Sequence, residues 1–107
     1  MVSFEEWSNI DMRVGLIEIV EEIEGKDKLY KMTVDFGEEK RVVVAGLKEF
    51  YSVQELQGKK SVFVYNLDSV TLAGIESQAM ILAARNENNE YKITIVDDSV
   101  PQGTKME

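Results

Sequence analysis

This sequence predicts an all-β domain: a five-stranded Greek-key barrel with short helices and a C-terminal extension strand. Three observations lead there. Short alternating or β-branched stretches recur along the chain, separated by turn residues. The first of them is long and carries Gly15 next to the point where its alternation slips, as the bent first strands of small closed barrels do. A helix-capping pattern falls between the third and fourth stretches, where such a barrel places its one connecting helix.

The elements follow in order. "SFEEW" is a capping box, Ser3 to Glu6, and predicts one helical turn with Phe4 and Trp7 as its apolar anchors. "IDMRVGLIEIVEEIEG" is the first strand, with a bulge or coil expected at Gly15. In "KLYKMTVDFG", Tyr30, Met32, Val34 and Phe36 face one way and Lys31, Thr33 and Asp35 the other, and "RVVVAGL" returns after the turn "FGEEK". "SVQELQG" repeats the capping box at Ser52 and Glu55 and stops at Gly58. "KKSVFVYNL" is the fourth strand and "SQAMILAA" the fifth. "YKITIV", after the polar turn "RNENNE", is a sixth. Five strands with a helix after the third is the order of an OB-fold. The sixth strand either covers an open edge or pairs across a subunit interface.

A chain of 107 residues is read as one domain, residues 1–107, with a single core. No apolar run approaches the ~18–20 residues that cross a bilayer. The opening "MVSFEEWSNI" lacks a basic stretch followed by an apolar one, so the expectation is a cytoplasmic protein with no membrane partner. Cysteine and histidine are both absent, which removes disulfides, thiolate and imidazole metal sites, and the common bases of neutral-pH catalysis. The acidic run Glu21 to Gly25 lacks the alternating ligands of a calcium loop. No enzyme, cofactor or metal is expected.

The net charge is −8, the wrong sign for a polyanion partner by composition alone. It is uneven: −6 over residues 1–27, +2 over 28–60 and −4 over 61–107. An anion-binding surface must therefore draw on the middle third.

Four segments, "DMRVGLI", "KLYKMTVDFG", "RVVVAGL" and "NLDSVTLAGIESQAM", together resemble the transfer-RNA-binding domain family, and "LQGKK" and "VPQGTK" fit its later pattern. The family occurs at the C-terminus of methionyl-tRNA synthetases, in free-standing tRNA-binding proteins and in endothelial monocyte-activating polypeptide. The resemblance implies an OB-fold that binds tRNA by shape and backbone. It also implies a homodimer paired through C-terminal extensions, acting in trans with a methionyl-tRNA synthetase. Its groove-side positions fall here on Lys28, Arg41, Asn66, Ser77 and Met80, with Lys59 and Lys60 adding charge. Read without the family, Met80 is core, Ser77 and Asn66 close turns, and Lys59-Lys60 is a solvated strand start. Arg13 either pairs with Asp11 or Asp35 or contacts RNA, and Asp35 is a hydrogen-bonder near the hairpin.

The chain departs from the family where RNA contact should be strongest. After Asn66-Leu67 the family carries a Lys-Pro-basic run and a further cation before the Gly, whereas this chain has Asp68, Ser69, Val70, Thr71 and Ala73. Ala79 replaces a glycine before Met80. Losing three or four basic contacts weakens binding by one to several orders of magnitude at ~0.15 M salt. Weak, salt-sensitive tRNA binding is therefore expected. The alternative is a dimeric protein-interaction or chaperone-like member of the family, with RNA binding weak or lost.

Overall fold

The computed structural model describes residues 1–107 throughout. The strands are β1 (Met12–Glu22), β2 (Tyr30–Asp35), β3 (Lys40–Ala45), β4 (Lys60–Val64), β5 (Val70–Leu72), β6 (Ile75–Ser77), β7 (Met80–Ile81), β8 (Ala83–Arg85) and β9 (Tyr91–Ile93). Two one-turn helices, α1 (Phe4–Trp7) and α2 (Val53–Leu56), complete the chain, α2 lying between β3 and β4. The main sheet runs β3-β2-β1-β4-β7, and β5-β6 and β8-β9 are separate hairpins. This is the expected OB-type barrel, nearly closed.

The alternation in β2 works as read: Tyr30, Met32, Val34 and Phe36 are buried and face Ile17, Val20, Val43, Leu56 and Phe63 in one core. Phe36 meets Phe63 edge-on at 5.4 Å. Each such side chain taken fully from water contributes roughly 1.5–3 kcal/mol.

β1 serves two neighbours. Met12–Leu16 pair with β4 and Leu16–Glu22 with β2, with a register shift between Ile17 and Ile19. The bulge therefore lies beyond Gly15. Gly15 has a different duty, because a Cβ there would stand 2.5 Å from Val34 and 2.8 Å from Phe63. The C-terminal segment completes the edge of β1 that β2 leaves bare. The Val14 amide donates to the Thr104 carbonyl, and the Gly103 and Met106 amides donate to the carbonyls of Val14 and Met12.

Three expectations need correction. "SQAMILAA" is not one strand: Ser77 ends β6, and β7 and β8 are short pieces separated by Leu82. The preceding stretch forms an unforeseen hairpin, β5-β6, whose turn residues Ala73 and Gly74 both have positive φ, 52° and 75°. A two-residue turn of that handedness matches the strand twist. Finally, both capping boxes form, yet α1 buries nothing. Phe4 is 79% exposed, so Phe4 and Trp7 do not anchor the turn.

The sixth strand, β9, takes the edge-covering role. Thr94 and Val96 amides donate to Leu82 and Lys60 carbonyls, sealing β4 and β7. The barrel closes between β3 and Ser77-Gln78 largely through side chains. The Gln78 amide donates to Val42 O (2.8 Å), its Oε1 accepts from Val42 N (2.9 Å), and Ser77 Oγ accepts from Val44 N (3.0 Å).

Candidate functional site

Beside that seam lies a cleft of about 530 Å³, walled by the Val44–Leu47 end of β3, by Leu67 and the β5-β6 hairpin, and by Ala79 to Ala83. Twelve of its fifteen lining residues are hydrophobic, so it offers contact area and almost no charge.

Of the seven nominated residues, two line this cleft, and two others are brought near it by the backbone alone. Ser77 and Met80 line it. Asn66 precedes the lining residue Leu67. The Lys28 carbonyl lies 3.9 Å from where a Cβ on the lining residue Gly46 would stand. Arg41 stands behind the seam. Lys59 and Lys60 lie elsewhere, at the start of β4 beside α2 and the C-terminal segment.

Several of these groups are already committed. Ser77 is 4% exposed, and its hydroxyl accepts from Val44 N and donates to Ala79 O. Asn66 accepts from Asp11 N (2.8 Å) and donates to Asn9 O (2.7 Å), clamping the N-terminal segment. Lys60 Nζ donates to the carbonyls of Asp98 (2.8 Å) and Val100 (2.6 Å). Lys28 and Lys59 are exposed, and neither makes an ion pair. Met80 is 48% exposed on the lip of the cleft rather than in the core.

Arg41 belongs to a stacked cluster. Its Nη1 donates to the carbonyls of Tyr65 (2.7 Å) and Gln78 (3.1 Å), its Nε pairs with Glu39, and its guanidinium lies 3.5 Å from the Tyr65 ring centroid. Arg13 stacks on the same ring at 4.0 Å while paired to Asp11 at 3.0 Å, which settles its partner between the two carboxylates considered. Asp35 accepts from Gly37 N, the hairpin bond expected of it. The Arg41 and Tyr65 hydrogen bonds hold the Glu39 carboxyl below its usual range. Burial, then the Glu39 bond, raises the Tyr65 phenol. Such a cluster fixes geometry more than it advertises charge, since each guanidinium is matched by a carboxylate.

The sequence reading missed Gln78, Tyr65 and the cleft itself. The Ala-Gly pair between two β-branched stretches is the signal that could have found the hairpin wall of the cleft.

Comparison with known proteins agrees with this geometry. A family described as "Putative tRNA binding domain" matches residues 12–105. The methionine–tRNA ligase of Caldanaerobacter subterraneus subsp. tengcongensis is 45% identical over 105 residues, 98% of this chain and 16% of that protein. The corresponding ligase of Pyrococcus furiosus is 44% identical over 105 residues, 98% of this chain and 14% of its own. The chain thus spans about one sixth of the curated relatives it matches. Among solved structures, a MetRS-related protein from Pyrococcus horikoshii superposes with a TM-score of 0.94 at 36% identity, covering 99% of this chain and 97% of that one. The chaperone CsaA from Bacillus anthracis superposes at 0.90 with 26% identity, covering 100% and 99%. With a barrel of this topology and a family match running through nearly all of it, the chain belongs to the tRNA-binding domain family.

Proposed function

We propose that this chain is a structure-specific tRNA-binding module that acts in trans with a methionyl-tRNA synthetase, as a homodimer and with weak, salt-sensitive affinity. The observation that supports tRNA as the ligand is the family match through residues 12–105. The small number of uncommitted cations sets the strength. Lys28 and Lys59 are free to meet phosphates, and Arg41 adds the 22% of its side chain left exposed by Glu39, the carbonyls and the Tyr65 ring. Asn66 and Ser77 support the cleft side from within, while Lys60 holds the C-terminal segment.

Each phosphate neutralised adds about 0.7–0.9 to the slope of log affinity against log salt. A module with two or three contacts therefore has a slope near −2. The test is the anisotropy of labelled bulk tRNA at about 50 and 200 mM salt. Lys28→Glu and Lys59→Glu should each flatten the slope by roughly one contact. Absence of binding at the lower salt with micromolar protein would refute the reading.

A second reading rests on the cleft. An apolar recess with Met80 on its lip suits a protein segment better than a polyanion, and two structural neighbours bear the name chaperone. It expects capture of unfolded polypeptide and no response to tRNA.

A further inference from the structure

The chain has three arginines and four tyrosines, and the fold itself uses most of their polar groups. Arg13 and Arg41 are matched by Asp11 and Glu39. The Tyr30 hydroxyl donates to Tyr51 O, the Tyr65 hydroxyl donates to Glu39, and the Tyr51 hydroxyl accepts from Ile93 N. Arg85 and Tyr91 are the exceptions. The Arg85 guanidinium has no carboxylate or carbonyl partner, and the Tyr91 hydroxyl is open to solvent without a protein partner. These two groups face each other. Arg85 on β8 is in register with Tyr91 on β9, and its guanidinium carbon lies 5.4 Å from the ring centroid. That is looser than the 4.0 and 3.5 Å stacks on Tyr65, and it leaves the N–H donors unspent. Tyr91 in turn lines the apolar cleft, and Phe50 braces it edge-on at 5.7 Å. The neighbouring acid Glu90 is engaged elsewhere, accepting from Asn86 Nδ2 at 2.9 Å and lying within reach of Lys92.

We propose that Arg85 and Tyr91 form a subsite for one unpaired RNA nucleotide, whose base enters the cleft against the Tyr91 ring while Arg85 holds its phosphate outside. This rests on the tRNA reading above and deepens it with two contact residues that lie beyond the Asn66 to Met80 motif.

The chemistry of the cleft divides such a ligand in two. An apolar recess excludes a phosphate but admits a base, since every base has a π-face that stacks on an aromatic ring whatever its sequence. At about 530 Å³ the cleft is in the usual size range for small organic ligands, and Met80 on its lip adds a polarizable surface. Charge sets the direction of entry. Asp68 is the one charged lining residue and repels a phosphate from the Leu67 side, whereas Arg85 attracts it to the Tyr91 rim. The open Tyr91 hydroxyl sits where it can meet a phosphate oxygen or a ribose 2′-hydroxyl. A perfect duplex keeps its bases stacked and offers none to the cleft. The subsite therefore gives the module a way to prefer a folded tRNA, with its unpaired positions, without reading sequence.

The test compares the anisotropy of labelled bulk tRNA with that of a labelled blunt RNA duplex, each at about 50 and 200 mM salt. Wild type is expected to prefer tRNA. Arg85→Ala, at an exposed position that makes no hydrogen bond, should lower tRNA affinity about three- to tenfold and flatten the salt slope by about 0.7. Arg85→Lys should restore the slope. Tyr91→Leu, which keeps apolar bulk against the core, should lower tRNA affinity about five- to tenfold with the slope unchanged. Neither change should alter duplex binding. Lys92→Ala removes the same charge one residue on, where the strand alternates to its other face, and should leave the preference for tRNA intact. If Arg85→Ala and Tyr91→Leu, both folded by circular dichroism, bind tRNA as wild type does, the subsite is overturned and the tRNA reading stands. Losses that are equal on tRNA and duplex, or matched by Lys92→Ala, reduce Arg85 to general charge and overturn the subsite as well. A wild-type protein that binds no tRNA at the lower salt overturns both. Binding of an unfolded polypeptide that Tyr91→Leu weakens, with tRNA binding unchanged, assigns the cleft to protein and refutes the nucleotide.

Discussion

Replacing Ser77 by alanine separates two roles that the family motif leaves merged. The hydroxyl is 4% exposed, accepts from Val44 N at 3.0 Å and donates to Ala79 O. Alanine fits the space but leaves a buried amide without an acceptor and a carbonyl short of a donor. One unsatisfied buried backbone group costs about 1–3 kcal/mol, so the variant should lose about 2 kcal/mol. For a domain of this size that lowers Tm by roughly 8–16 °C and the urea midpoint by about 1 M. Urea titrations of both proteins, followed by circular dichroism, measure the loss. tRNA anisotropy at 10 °C, where both remain folded, should show an unchanged salt slope, because no phosphate contact is removed. Stability within about 0.5 kcal/mol of the parent combined with abolished tRNA binding would refute the reasoning. It would make Ser77 an RNA contact instead of a seam residue.

Other consequences are as direct. Gly15→Ala forces a methyl group to within 2.5 Å of Val34 and 2.8 Å of Phe63, so chemical denaturation should show about 1–3 kcal/mol lost to overpacking. Ala73 sits at φ 52° in the β5-β6 turn, so Ala73→Asn should gain about 0.5–1 kcal/mol in the same assay, since asparagine tolerates that conformation. Acid should destabilise the protein. The carboxyls of Glu39, Glu55, Glu90 and Asp97 are held below their ordinary values, for Glu55 first by the Ser52 amide. Their contribution is complete above the ordinary carboxylate pKa of about 4 and disappears as pH falls through the lower folded values. Thermal melts should be flat from pH 8 to about 5 and drop below that. Glu55→Gln, which keeps the capping bond without the titration, should have a shallower acid limb.

What the sequence made legible was whatever local periodicity encodes. The alternation of Tyr30 to Phe36 became the buried face of β2, and both Ser-x-x-Glu patterns became capped turns. Properties set by distant contacts were not legible. Phe4 and Trp7 look like core anchors in "SFEEW", but whether they find a core depends on what packs over them, and here nothing in the chain does. The apparent fifth strand is apolar from Ala79 on, but Gln78 turns its amide and side chain toward Val42 and breaks the run. For the candidate site, the motif named two residues that line the cleft, Ser77 and Met80. It was silent on which donors were already spent, as on Lys60, whose ammonium lies against two carbonyls from residues 38 and 40 positions away.

The pairing of Met12 and Val14 with residues 103–106 joins the two ends of the chain across the same edge. Until residues 103–106 are in place, the opening strand keeps one margin bare, so the barrel's last stitch is made by residues some ninety positions from the strand they complete. A chain lacking residues 103–106 would expose that margin as a ready template for stray strands and favour aggregation.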